Sequence, residues 1–433
     1  MKRFVIALLI PMALHGQGVA GGDARPLSLE DAIRLAHQNS PLAIAARGQL
    51  RTTDAAVRTA FSQFLPTLSL SAGASRSAGE ALGPNGKLVQ ISSPWNFNRG
   101  LSSNLELFDG FRRQNTLRSA RAQQTAAESN ERLQRYRVAL EVKQQYFNVQ
   151  ASRESRGAAL AQLAQAEEQL KAASARVTAG AATKSDSLRS VIAVGNARLA
   201  VLTAENSIRL ANATLTRLVA SPYTVTAAGS DSDAVAVVAL DSVEVVKWLE
   251  DAPSISQARS DLAASVAAAK SSRASYWPTF SVGASLSGNR SDQAFAPSGG
   301  AYSSNKSLRL NFSYPLFNGL QREENVARTA VAEDNARAQL REARMVADQQ
   351  LTQLLGSLRL AEVRLAIQEA SVVAGEEDLR VQNQRYTLGA STLLDLLTSQ
   401  STLNQARYGR IQARYDARVA KAQIEALVGR DIP

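Results

Sequence analysis

The chain contains one sequence pattern twice. Pro41 and Pro66 recur as Pro253 and Pro278, 212 positions later. Matches offset by 209 positions follow: Phe108, Gly110, Gly180, Thr183 and Asp186 return as Phe317, Gly319, Gly389, Thr392 and Asp395. A period this long indicates a duplicated supersecondary assembly rather than a short solenoid repeat, so most of the chain is expected to fold into two similar units.

The N-terminal residues have the pattern of a secretory signal. Lys2 and Arg3 precede an apolar run from Phe4 to Leu14, and Gly18-Val19-Ala20 forms a small-residue cleavage site. The run is too short to span a bilayer, which needs about 20 apolar residues, and no later segment supplies a transmembrane helix. The predicted division is a signal peptide at 1–20, a first repeat at 21–220, a connector at 221–240 packed outside the helices, and a second repeat at 241–433.

Composition argues against several chemistries. There is no cysteine, and the two histidines are His15 in the signal and His37 on a predicted helix surface, so we expect neither a metal site nor a histidine-based acid–base centre. The formal charge is +11, but aromatic residues make up only 5% and the arginines are scattered along predicted helices. We therefore interpret the charge as solvated helix surface and expect no nucleic-acid partner.

Two long stretches lack proline and are rich in strong helix formers. Proline is absent between Pro94 and Pro222 and between Pro315 and Pro433, and proline inside a helix would cost about 3 kcal/mol. A single helix through the first stretch would be about 100 Å long at about 1.5 Å per residue, which no compact domain requires. Each repeat is therefore predicted to contain a long antiparallel helical hairpin. The predicted helices run from Arg112 to Val177, from a cap at Ser185 or Asp186 to about Leu218, from Arg322 to Tyr386, and from a second turn to about Val428.

Strict alternation of apolar and small polar residues precedes each hairpin. This period of two predicts β-strands with one apolar face. The alternating apolar residues are Leu68, Leu70, Ala72 and Ala74; Leu101, Leu105 and Leu107; Phe280, Val282, Ala284 and Leu286; and Leu308, Leu310, Phe312 and Tyr314. The sequence therefore predicts four strands, two in each repeat, joined by flexible loops at about 79–100 and 288–306.

The alternating pattern fits two environments. One is a soluble sheet half covered by helices, and the other is an outer-membrane barrel with lipid outside and water inside. The secretion signal and the very long helices favour the barrel. Because four strands cannot close a water-filled barrel, several chains would have to combine to satisfy the sheet edges.

Taken together and in order, these motifs resemble the TolC family of outer-membrane efflux and secretion channels. The matching motifs are Leu27-Ser28-Leu29-Glu30-Asp31-Ala32 with Asn39-Ser40-Pro41, the strand entries Pro66-Thr67 and Pro278-Thr279, Leu107-Phe108-Asp109-Gly110, Leu316-Phe317-Asn318-Gly319, and Arg385-Tyr386-Thr387-Leu388-Gly389-Ala390-Ser391. The resemblance implies an α+β membrane protein of the Gram-negative outer membrane. In it, a homotrimer builds a twelve-stranded β-barrel from four strands per chain, continuous with a long periplasmic α-helical barrel.

The resemblance also implies a function. Members of the family are passive exit ducts of tripartite efflux pumps or type I secretion systems. They are opened at the periplasmic tip by a periplasmic adaptor (membrane fusion) protein and an inner-membrane RND or ABC transporter. The implied partners are thus other copies of the chain, the adaptor, the transporter and outer-membrane lipid, with no cofactor and no enzymatic activity.

The turns of the two hairpins are the adaptor contacts that the resemblance implies. They are Ala179-Gly180-Ala181 and Leu388-Gly389-Ala390. A simpler interpretation is that each glycine only permits a left-handed helix cap, and the two interpretations are compatible.

The resemblance implies a gate just beyond these turns. Asp395 matches an acidic ring at the narrowest point, where three carboxylates would attract cations and raise one another's pKa. Asp186 matches a gate-linking position that bonds to a neighbouring helix, where Tyr386 stands. The best-known pattern also has an arginine and a second acidic ring, where this chain has Ser391 and Thr398. Arg385 is the candidate replacement for the missing link to Asp186.

The main alternative is a periplasmic adaptor or a structural coiled-coil protein, because both contain long helical hairpins. Such a protein would lack four amphipathic strands arranged in two pairs. An enzyme is the least supported class, since the sequence has one histidine beyond the signal and no glycine-rich phosphate loop.

Overall fold

The computed structural model describes residues 24–82, 84, 86–229 and 247–432. Its strands are β1 (Arg25–Leu27), β2 (Thr67–Ser75), β3 (Ala78–Leu82), β4 (Leu88–Ser92), β5 (Trp95–Phe108), β6 (Val225–Ala227), β7 (Thr279–Asp292) and β8 (Ser303–Ser313). Its main helices are α1 (Leu29–Asn39), α2 (Pro41–Ser62), α3 (Arg112–Thr178), α4 (Lys184–Val219), α5 (Pro253–Ser272), α6 (Gln321–Thr387) and α7 (Leu393–Val428), with a 3-10 turn at Arg273–Tyr276. The predicted signal at 1–20 and residues 230–240 of the predicted connector lie outside the described residues.

The four long helices confirm the two predicted hairpins. α3 and α6 each contain 67 residues, and α4 and α7 each contain 36. The predicted cap of α4 was wrong: the N-cap is Thr183, and Asp186 is the third helical residue. Its carboxylate accepts from the backbone of Thr183, which completes a capping box that a cap at Ser185 or Asp186 would not form.

The duplication extends to the packing of the hydrophobic cores. The first core includes Val138, Val142, Leu215 and Val219, and their counterparts 209 positions later, Ala347, Leu351, Ile424 and Val428, lie in the second. α1 closes the first core through Ala32 and Ala36, and the short parallel pair β1–β6 adds Val225 and Ala227. The described part of the connector therefore joins a core rather than only covering the helices.

The two hairpins pack together through α3 and α7. The ammonium group of Lys143 lies 2.5 Å from Glu425 Oε2, and both side chains are largely buried. Nearer the tips, the hydroxyl of Tyr415 donates to Glu154 Oε1 at 2.6 Å. α4 and α6 are left with exposed apolar side chains: Leu188, Ile192, Leu199, Leu202 and Leu210 on α4, and Leu360, Val363, Ile367 and Val381 on α6.

The four predicted strands form one antiparallel sheet in the order β2-β5-β7-β8. Thr67 pairs with Asn104 in the first repeat, and Thr279 pairs with Ser313 in the second, so the two hairpins share one register. The three-residue change between the repeats therefore falls in the connections of the hairpins. Among the strands of the described residues, β2 and β8 each have a single neighbour.

The predicted flexible loops proved partly wrong. Residues 79–100 include the β3–β4 hairpin and the first part of β5, and residues 288–306 include the ends of β7 and β8. The strands continue there because Trp95 packs edge-to-face against Phe295 and Phe97 packs against it at a tilt, at ring-centroid distances of 4.9 and 5.7 Å, while Ser75 still pairs with Asn96. Among the described residues, no helix combines the length and the apolar character that a membrane span requires.

Candidate functional site at the hairpin tips

The two tip turns have the same backbone structure. The amide of Ala181 donates to Arg176 O, and the amide of Ala390 donates to Arg385 O, each at 2.8 Å. Gly180 and Gly389 have φ values of +73° and +76°, which favour glycine, although a side chain at either position would meet open space. The second turn also presents Leu388, which is 83% exposed. Each tip is therefore a tight, accessible turn of the kind a partner protein can contact.

Asp186 and Asp395 occupy equivalent positions one turn into α4 and α7. Thr183 donates to Asp186 Oδ2 through its amide at 3.1 Å and its hydroxyl at 2.8 Å, and Thr392 does the same to Asp395 at 2.9 and 2.8 Å. These hydrogen bonds lower the pKa of both carboxyl groups below the usual value. Both side chains are therefore ionised at neutral pH in the single chain.

Arg176 joins the tip of the first hairpin to that of the second, a contact that the sequence analysis missed. Its guanidinium donates to Tyr386 O and to Thr387 O, each at 3.2 Å, and its central carbon lies 4.7 Å from the Tyr386 ring centroid. Both partners are about 210 positions away in sequence. The only signal for this contact was the match between Arg176 and Arg385 in the two repeats.

Arg385, the counterpart of Arg176, bonds within its own turn. Its Nη2 donates to Ala390 O at 3.4 Å. Its charge also contributes to the lowered pKa of Asp395, after the larger effects of the two Thr392 hydrogen bonds. In the single chain, the described hydrogen bonds of the Asp186 carboxylate come from Thr183, and the ring of Tyr386 contacts Arg176.

Replacing Arg176 with glutamine is expected to loosen the tip within each chain. The change removes two charged hydrogen bonds and a cation–π contact, together worth about 1–3 kcal/mol at a partly exposed site. Spin labels at Ala179 and Leu388 should then show a broader distance distribution by pulsed electron resonance. Lys171→Gln, which removes a charge from the same helix, is the control. An unchanged distribution in the Arg176 variant would show that the contact does not hold the tips together.

The fold defines a class of protein before any comparison is made. A four-stranded sheet with one apolar face continues into helical hairpins about 100 Å long. This is the architecture of an outer-membrane channel with a helical periplasmic part.

Comparison with known proteins identifies the family. The model of the outer membrane efflux protein family matches residues 32–221 and 245–430. The chain therefore belongs to the outer membrane efflux protein family, and the resemblance to TolC-type channels is confirmed. It is 28% identical to protein CyaE of Bordetella pertussis over 399 residues, covering 88% of this chain and 79% of that protein. It is also 26% identical to the pyoverdine export outer membrane protein OpmQ of Pseudomonas aeruginosa over 411 residues, covering 93% and 83%.

Solved structures show the same fold. CusC superposes with a TM-score of 0.81 at 18% identity, covering 99% of both chains. VceC from Vibrio cholerae superposes with a TM-score of 0.76 at 17% identity, covering 94% of this chain and 97% of that one. The protein is thus an outer-membrane export channel with a large periplasmic helical part. This identification argues against the alternative of a periplasmic adaptor or a coiled-coil scaffold.

Proposed function

We propose that the chain works as a homotrimer that forms a passive exit duct across the periplasm and outer membrane. The observation that carries the proposal is the sheet whose two edges, β2 and β8, have no further strand beside them in the described part of the chain. An unpaired edge in a bilayer leaves backbone polar groups without partners, at a cost of several kcal/mol each. Pairing β8 of one chain with β2 of the next would repeat the β5–β7 junction, and three chains would give a barrel of about twelve strands.

The exposed faces of α4 and α6 support the same assembly. Within a chain, α3 packs on α7, and their counterparts in the other repeat are α6 and α4. The same packing between chains would place α6 of one chain on α4 of the next, and it would cover the exposed apolar residues of both helices. Burying that surface contributes roughly 25 cal/mol for each Å² removed from water.

The tips supply the gate in this proposal. The turns at Gly180 and Gly389 contact a periplasmic adaptor, which an inner-membrane RND or ABC transporter engages and energises. Asp395 of the three chains forms an acidic ring on the axis, and Asp186, Tyr386 and Arg385 link neighbouring hairpins in the closed state. Arg385 is the repeat counterpart of Arg176, which contacts Tyr386 of the second hairpin within the chain. The same packing between chains would place Arg385 against the first hairpin of the next chain.

Because Ser391 and Thr398 replace an arginine and a second acidic ring, the closed state is held less tightly than in members that carry both. Weaker block of the closed channel by divalent cations in planar bilayers supports this hypothesis, and block equal to that of such members contradicts it.

Replacing Asp395 with asparagine is expected to reduce the cation selectivity of the purified channel in planar bilayers. The amide can still accept the hydrogen bonds of Thr392, so the change removes charge rather than the cap. Thr392→Ala is the matched control, because it removes the capping hydroxyl and keeps the carboxylate. The oligomeric mass is measured in the same detergent. A monomer without channels contradicts the duct, whereas a trimeric channel whose selectivity Asp395→Asn leaves unchanged contradicts only the acidic ring.

A further inference from the structure

The apolar face of the sheet becomes basic and aromatic at the end away from the helices. On β5, Leu105 and Leu101 share their face with Arg99, and on β8, Leu310 and Leu308 share theirs with Lys306. On β7, Arg290 lies on the same face as Leu286, directly opposite Phe97 of β5. One surface of the sheet thus changes from leucine to arginine and lysine along its length.

The dimensions of this face match the apolar band of an outer-membrane barrel. From Phe280 to Arg290 the strand rises about 33 Å, which is about 25 Å along the membrane normal at a tilt of about 40°. Aromatic clusters border the band at both ends: Phe108, Trp277, Phe280 and Phe312 near the helices, and Trp95, Phe97, Phe295 and Tyr302 at the far end. Because the helices are periplasmic, the basic residues lie at the headgroup level of the outer leaflet.

The basic cluster, which consists of Arg99, Arg290 and Lys306, has few acidic partners. The guanidinium carbons of Arg99 and Arg290 lie 4.1 and 5.5 Å from the same Tyr302 ring centroid, so two positive charges share one ring. Arg290 forms an ion pair with Asp292 at 3.5 Å, but its side chain is only 8% exposed, and its Nε and Nη1 are buried without a hydrogen-bond partner. Arg99 and Lys306 are exposed and form no ion pair within the described part of the chain.

An apolar groove in the band reaches one member of this cluster, Lys306. It has a volume of about 480 Å³, and its lining includes Leu68, Leu101, Leu286 and Leu308, with Lys306 at one end. A soluble anion would use only the basic end, whereas a lipid would use both the charge and the groove.

We propose that the basic cluster and this groove bind an outer-membrane lipid with a phosphate-bearing headgroup. Arg99 and Lys306 donate to the phosphate oxygens, which guanidinium and ammonium groups favour, and an acyl chain lies in the groove. The bound anion would also offset the repulsion between Arg99 and Arg290. The inference rests on the proposed barrel, in which this face contacts lipid.

The test measures the lipid retained by the purified channel in a zwitterionic detergent by native mass spectrometry. The probes are diphosphorylated lipid A and the same lipid with both phosphates removed. We expect the variant that combines Arg99→Gln and Lys306→Gln to bind the phosphorylated lipid about twenty-five-fold less tightly, or about fivefold for each charge. Arg309→Gln is the control, because Arg309 lies on the opposite face of β8 and should leave retention unchanged.

Three results would overturn the proposal. One is equal retention of the dephosphorylated lipid by the unaltered protein, and another is equal loss of lipid in the Arg309 variant and in the double variant. The third is displacement of the lipid by inorganic phosphate, which would indicate a soluble-anion site.

Oligomeric mass and conductance of the same samples distinguish the lipid-site proposal from the duct proposal. A conducting trimer whose lipid retention the double variant leaves unchanged contradicts only the lipid site, and an unaltered protein that neither assembles nor conducts contradicts the duct.

Discussion

Replacing Gly110 with alanine is expected to destabilise the folded chain by about 2–5 kcal/mol, more than the same change at Gly319. The two glycines are equivalent in the repeats and have φ values of +68° and +67°. Alanine in this left-handed region costs about 1–2 kcal/mol at either position. At Gly110 the new methyl group would also lie 2.7 Å from Ala274 O and 2.7 Å from Trp277 Cβ, and such overpacking adds about 1–3 kcal/mol.

Apart from the two neighbouring residues, a methyl group added at Gly319 would have no atom of the described residues within 4 Å, so only the backbone cost applies there. In the proposed trimer, the counterparts of Ala274 and Trp277 are Ser62 and Leu65 of the neighbouring chain. Gly319→Ala should therefore weaken assembly more than it weakens the chain. The measurements are the urea midpoint of the helical signal and the oligomeric mass in detergent. Identical effects of the two variants on both quantities would contradict the pseudo-symmetric assembly.

Replacing Arg113 with methionine is expected to destabilise the junction between strands and helices by about 3–5 kcal/mol. Arg113 Nε donates to Asp109 Oδ2 at 3.1 Å, and the two side chains are 9% and 4% exposed. Arg113 also donates to Glu106 O and Leu107 O at the end of β5. Removing the guanidinium leaves the buried carboxylate without its hydrogen-bonded cation, because the remaining cation, Arg112 Nε, lies 3.8 Å from Asp109 Oδ2 and belongs to a half-exposed side chain. Breaking a buried pair in this way is the costly outcome.

The second repeat offers a matched control at the same place in the fold. Arg322 corresponds to Arg113: it donates to Pro315 O at 3.2 Å and stacks on Tyr276, as Arg113 stacks on Phe64. Asn318 replaces Asp109, and the carboxylate that Arg322 does pair with, Glu323 at 3.3 Å, belongs to a side chain that is 41% exposed. Arg322→Met should therefore cost only about 1–2 kcal/mol.

Adding Asp109→Asn to Arg113→Met makes the first junction resemble the second and should restore part of the lost stability. Urea denaturation of the single and double variants measures these effects. Equal losses in the Arg113 and Arg322 variants would show that the buried carboxylate does not decide the difference.

Local patterns predicted the elements of this fold well. The absence of proline and the helix-forming composition predicted α3 as Arg112 to Val177, and the structure has Arg112–Thr178. Alternation predicted β2, β5, β7 and β8, since the side chains of a strand point to opposite faces in turn. The glycines at the tips were equally local signals, and the constant offsets between matching residues revealed the duplication.

Contacts between distant residues were not predictable in the same way. The β3–β4 hairpin and the first part of β5 lie where composition suggested a flexible loop. Strand pairing forms the hairpin, and the contact of Trp95 with Phe295 supports β5, so both overrode the local preference. The cap of α4 fell on Thr183 because the backbone geometry of the turn decides which residue lies just outside the helix.

In the candidate site, too, the sequence indicated individual residues but not the contacts between distant ones. The repeat identified Gly180, Gly389, Asp186 and Asp395, but it could not show that Arg176 reaches Tyr386 and Thr387. Nor could it show that Arg99 and Arg290 share the ring of Tyr302. The sequence by itself determined the long helices, the four strands of the main sheet and the duplication, because these depend on periodicity along the chain. Only the tertiary structure decided which side chains meet across the two repeats, because such contacts depend on the packing of helices and strands far apart in sequence.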